Sequence, residues 1–146
     1  MGNGIVEIRA QVCAMIEADE EMLSRLDAAG AEGQWLLECI RRTLDAHVEE
    51  LSVHVRRLGG APPAIEVSPK ARASSLARLL RDFYTMISLA HARALVLETD
   101  ARAHGYSSSA AMATRHREEL VTLLAAIRDE LPGAVKEEIE QTRIPT

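Results

Sequence analysis

The chain has 146 residues, 47% of them hydrophobic and 27% charged, which suits one globular domain spanning 1–146 and excludes a disordered or fibrous chain. Seventeen basic against 22 acidic side chains leave a formal charge of −5, so nucleic acid is not an expected partner. The aromatic side chains (Trp35, Phe83, Tyr84, Tyr106) are too few for the platforms that stack single strands and too few for a typical all-β core.

The start meets acidic Glu7 before any long apolar run and carries Val6 where a myristoylation motif wants Ser or Thr, so no targeting segment is expected. Glycine and proline then divide the chain into breaker-free stretches at 5–29, 34–58, 70–104 and 106–131, all rich in Ala, Leu, Glu and Arg. Apolar residues recur three and four apart in each one. The first stretch shows Ile5, Ile8, Val12, Met15, Met22 and Leu26; the second shows Leu37, Ile40, Leu44, Leu51, Val55 and Leu58. The third shows Leu76, Leu80, Phe83, Ile87, Ala90, Ala94, Leu97 and Ala101, and the fourth Leu120, Leu123, Leu124, Ile127 and Leu131. Four one-sided helices of ~37 Å bury their stripes best as a bundle. A short fifth helix, Ala134 to Thr142, is expected after the Pro132-Gly133 break. The most apolar window, Leu120 to Ile127, is far shorter than the ~20 residues of a membrane helix, so a cytoplasmic protein without a membrane partner is expected.

Short connections at Gly30–Gly33 and Gly105–Ser108 make the first and second helices, and the third and fourth, antiparallel hairpins. The stretch Gly59–Ser75 is longer, with helix-cap signals at Ser68-Pro69 and again at Ser74-Ser75. Extended, it reaches ~50 Å, enough to run the length of the bundle and leave the second and third helices parallel. A direct hairpin with the third helix starting at Pro69 is the alternative. Cys13 and Cys39 are expected ~15 Å apart along the axis of the first hairpin and so unable to bridge.

Leu36–Gly60 (LLECIRRTLDAHVEELSVHVRRLGG), RDFYTMISLAHARALVLETDARAHG from Arg81 and ATRHREELVTLLAAIRDELP up to Pro132 together resemble small bacterial proteins of the ferritin-like superfamily. The resemblance covers about half the chain. It implies an all-α, ferritin-like four-helix bundle with two antiparallel hairpins, a lengthwise crossover and a short C-terminal helix. Members commonly hold two iron or manganese ions with one Glu from each of two helices and Glu-x-x-His from the others. This sequence has no Glu-x-x-His; it has the reverse, His-x-x-Glu, at His47/Glu50 and His116/Glu119.

Polar residues on or beside the apolar stripes are the candidate site. Asp19 and His116 fall on stripes; His47 and His54 flank the second, and His91 and Glu98 flank the third. Counting from the turns places His54, Glu98 and His116 in one layer, with Glu50 or Glu119 as a further ligand, a donor set that suits zinc, iron or manganese. The plainer reading makes the histidines packed side chains with one satisfied nitrogen, the acids solvated, and Asp19 a buried acid paired with His47. Trp35, Val53 and Leu95 lie off the core stripes and point to a symmetric homodimer. No nucleophile triad or phosphate loop is present, so two functions remain: a metal-handling ferritin-like protein, or a metal-free structural or dimerisation bundle.

Overall fold

In the computed structural model, which describes residues 3–30, 34–66 and 75–143, the chain forms four helices. These are α1 (Asn3–Ala29), α2 (Trp35–Arg57), α3 (Leu76–Ala103) and α4 (Ser107–Thr142). Local chemistry fixes their ends. The Gln34 side chain accepts from the Leu37 amide at 2.8 Å to start α2, and Ser75 accepts from the Arg78 amide at 3.1 Å to start α3. The later of the two serine caps is thus the one used, while Ser68-Pro69 lies outside the described residues.

Helices α2 and α3 stop in the same way. Past α2, Gly59 turns to φ +82°, its amide bonds Arg56 O and the Gly60 amide reaches back to Val55 O at 2.9 Å. Past α3, Gly105 at φ +77° bonds Arg102 O and Tyr106 bonds Ala101 O at 2.8 Å. A left-handed residue closes the last carbonyls, and only glycine enters that region without strain. At Gly59 a Cβ would also meet the Arg9 guanidinium, whose Nε donates to Leu58 O.

Cross-helix bonds settle the topology. Arg9 to Leu58 and Arg41 to Asp27 run α1 antiparallel to α2, and Glu98 with Arg117 does the same for α3 and α4. Gln11 to Asp100 pairs α1 with α3, and His54 with Ser109 pairs α2 with α4, again antiparallel. Neighbours all round are therefore antiparallel, and α2 and α3 are parallel and diagonal, as are α1 and α4. The connection must run the length of the bundle, which rejects the direct hairpin. Its first part crosses α1, where Cys13 Sγ lies 3.7 Å from Ala61 O and Ile65 packs on the core. Cys13 and Cys39 are free thiols.

The C-terminal segment is helical as expected, but it is not a separate helix: α4 continues through Pro132. Pro132 and Gly133 face solvent, so the amide lost at Pro132 exposes only a carbonyl that water can reach. Leu131 and Ala134 meanwhile pack on the core and hold the helix in line. No described helix is long and apolar enough to cross a membrane.

The core has two apolar halves. One gathers Met22, Leu26, Leu36, Ile40, Leu44, Phe83, Ile87, Leu120 and Ile127. The other gathers Ile8, Val12, Leu51, Val55, Leu97, Ala101, Met112 and Ala113. Along α1, α2 and α4 the break between the halves falls at Asp19, His47 and His116, all buried. Those residues form a polar layer across the middle of the bundle.

Candidate functional site

The two His-x-x-Glu motifs face each other across the α2–α4 seam. Because the helices are antiparallel, each histidine meets the other helix's acid: His47 Nε2 lies 3.0 Å from Glu119 Oε2, and His116 Nε2 lies 2.9 Å from Glu50 Oε1. The i to i+3 spacing sets this reciprocity, since it puts each motif's two members on neighbouring faces one turn apart. Between the acids the two imidazoles stack, centroids 3.8 Å apart and planes 4° from parallel. The rings are buried and the carboxylates reach the surface, where Arg115 adds two bonds to Glu50 at 2.9 and 3.0 Å.

Burial dictates the protonation states. It lowers the pKa of His116 to about 4, helped by the neighbouring His47 and opposed by the Glu50 bond. Burial also lowers His47, against the pull of Glu119. For Glu50 burial acts upward, but the bonds from Arg115 and His116 outweigh it and hold the carboxyl below its usual range. Asp19, buried on α1 beside both rings, is raised to about 8 by desolvation and by Glu20, with Arg93 acting the other way. At neutral pH the rings and Asp19 are therefore uncharged, and the charge sits at the surface end of the quartet.

The layer expected from sequence, His54 with Glu98 and His116, does not converge. The turn count sets Glu98 level with His116, and it is nearly so, but Arg117 is the residue that faces it. Arg117 Nε donates to Glu98 Oε2 at 2.8 Å and Arg102 donates to Oε1 at 2.6 Å, holding Glu98 below its usual pKa. One residue of helix is ~100° of rotation, so His116 points instead at α2. His54 sits one turn beyond Glu50 and pairs with Ser109 Oγ at 2.6 Å. The structure thus joins Glu50 with His116 and Glu119 with His47, and gives His54 and Glu98 other partners. Asp19 shares a cavity wall with His47, but the partner of His47 is Glu119. Counting from the turns missed Arg117, Ser109 and Arg93; the doubled His-x-x-Glu spacing was the available signal for the quartet.

A di-metal centre needs inward carboxylates from several helices. At this level α3 offers Ala90 and Arg93, an apolar wall and a cation. Both Nε2 atoms are committed to carboxylates, which leaves only the Nδ1 lone pairs, and parallel stacked rings aim these along separate lines. No group of three or more His, Cys, Asp or Glu side chains suited to a metal ion is present among the described residues. The donor set does not fit the metals named from sequence, iron, manganese or zinc. Beside the quartet the α2–α4 seam opens as a cleft of about 600 Å³ bordered by Glu49, His54 and Arg57.

No protein-family model matches the sequence, and no curated protein matches it. Solved structures do match. A protein from Xanthomonas campestris pv. campestris superposes with a TM-score of 0.76 at 16% identity, over 97% of this chain and 99% of that one. An open pore ferritin from the hyperthermophilic archaeon Archaeoglobus fulgidus superposes with a TM-score of 0.66 at 14% identity, over 90% of this chain and 85% of that one. At such identities the likeness establishes the fold, a ferritin-like four-helix bundle.

Proposed function

We propose that this chain is a metal-free bundle, akin to the small bacterial ferritin-like proteins, that works in the cytoplasm as a homodimeric structural module. The observation that carries the reading is the make-up of the central layer: the acids at the α2–α4 seam are taken up by His47, His116 and Arg115, Arg93 lines the inner cavity, and no group of three or more His, Cys, Asp or Glu side chains suited to a metal ion occurs among the described residues. Self-association is supported by the apolar residues left on the outer faces. Trp35, Val53 and Leu95 are exposed, as are Val121 on α4 and, seven residues apart on one face of α3, Leu89 and Val96. Exposed apolar side chains in this number support an interface.

The test joins metal analysis to sedimentation. Purified protein, before and after incubation with Fe(II), Mn(II) or Zn(II), is expected to hold no stoichiometric metal and to sediment as a dimer that Leu89→Arg dissociates. One or two equivalents of retained metal would return the function to iron handling or peroxide defence, the alternative the fold brings with it. A monomer at all concentrations would remove the association.

A further inference from the structure

The polar layer contains one atom whose chemistry is unfinished. A carboxylate only accepts, so Glu50 and Glu119 fix the hydrogen of each imidazole on Nε2 and leave Nδ1 as a lone pair. In His116, which is 2% exposed, Nδ1 is buried and meets no hydrogen-bond partner among the described residues. An unpaired buried acceptor costs on the order of 1–3 kcal/mol, so a donor is called for.

The place for that donor is built. A cavity of about 10 Å³ lies between the apolar halves of the core, walled by His116, His47, Asp19, Arg93 and Ala90. That is close to the smallest volume that admits a water molecule, ~10–15 Å³, and water also needs two or more polar partners. Here His116, whose Nδ1 is unpartnered, and Asp19 both line the space. Arg93 on the wall disfavours a cation, and Met15, Ala18, Ala90 and Leu120 make the rest of the wall apolar, so the polar partners come from the histidines, Asp19 and Arg93.

We propose that a single water molecule occupies this cavity, donates to Nδ1 of His116 and bridges it to the Asp19 carboxyl. The inference rests on the metal-free reading above. It completes a hydrogen-bonded chain from Asp19 on α1, through the water and His116 on α4, to Glu50 on α2. Three helices are then tied at one level by the kind of central bridge that metal ions supply in other bundles of this fold. The uncharged state of Asp19 suits the role, because a protonated carboxyl both donates to and accepts from water.

A high-resolution crystal structure of the wild-type protein, grown with zinc present and with anomalous data at the zinc edge, tests this directly. The expected result is one peak without anomalous signal at ~2.7–3.2 Å from both His116 Nδ1 and an Asp19 oxygen. Ala90→Val, whose added methyls enter the cavity, should lose the peak and keep the His116–Glu50 bond. Ala90→Ser is the milder substitution if the valine does not fold, and its hydroxyl should take the water's place. An empty cavity in the wild type would overturn the water and leave the metal-free reading standing. A peak at ~2.0–2.2 Å with anomalous signal would overturn both.

Discussion

Glu98 and Glu50 are both carboxylates set where a helix meets an antiparallel neighbour, and the two seams hold them differently. On the α3–α4 side Glu98 is closed in by Arg102 and Arg117, cations at every accessible pH. On the α2–α4 side Glu50 takes two bonds from Arg115 and one from His116, an imidazole that donates while neutral and leads inward to the stacked His47 and the Asp19 cavity. In the first, a buried carboxylate is met by two arginines that reach solvent. The second is the surface end of a polar layer that crosses the core, so cavity effects and pH dependence should concentrate there.

The largest expected effect follows from burial. His116→Ala removes a 2% exposed ring, its stacking partner's contact and the bond to Glu50, and should destabilise the protein by about 2–4 kcal/mol in urea denaturation. Glu98→Gln should cost clearly less, because Arg102 is largely solvated and Arg117 partly so. An equal or greater loss for Glu98→Gln would erase the distinction between the seams.

The pH profile sharpens it. Asp19 has a folded pKa of about 8 against 3.8 when unperturbed, so the native state holds the extra proton and stability is lost as pH rises from 3.8 to about 8. His116 has a folded pKa of about 4 against 6.5, so the unfolded state binds the extra proton and stability is lost as pH falls from 6.5 to about 4. His47, lowered in the same direction, adds to the acid loss. Between pH 6.5 and 8 only the Asp19 slope should remain. Asp19→Asn should therefore be more stable than wild type at pH 8, by about 1–3 kcal/mol, and flat over that interval in chemical denaturation. In the same background the acid loss between 6.5 and 4 stands alone, and His116→Ala should reduce it. Glu98, with its pKa depressed by Arg117, keeps its contribution above the ordinary carboxylate value and yields it only as pH falls below that.

The smallest effect belongs to the rim. Arg115 is more than half exposed, and Arg115→Ala should change stability by about 0–1 kcal/mol, and less at high salt. A loss matching that of His116→Ala would mean that the arginine, and not the imidazole, holds the seam.

The fold was readable because helical periodicity and turn residues act over short distances. Stripes such as Leu37, Ile40 and Leu44 name the buried face, Gly59 and Gly105 mark the stops, and the length of Gly59–Ser75 allows the crossover. Pro132 misled because its cost depends on which side of the helix faces water, a tertiary property. The site was half readable for a related reason. Counting from turns gives height, and Glu98 does lie within one residue of His116, but height leaves the azimuth open. A rotation of one residue gave Glu98 an arginine and sent His116 to the opposite seam. The two His-x-x-Glu spacings were visible as pairs; that each histidine takes the other pair's acid follows only once α2 and α4 are known to be antiparallel neighbours.

The most direct measurement is the nitrogen-15 NMR spectrum of the histidine rings at neutral pH, recorded before and after one equivalent of Zn(II) or Fe(II). The expected spectrum shows His47 and His116 neutral, with the proton on Nε2 and hydrogen-bonded to carboxylate, and unchanged by either metal. Ring nitrogens that shift or broaden on stoichiometric addition would show that these imidazoles are metal ligands and that the quartet is only their resting form.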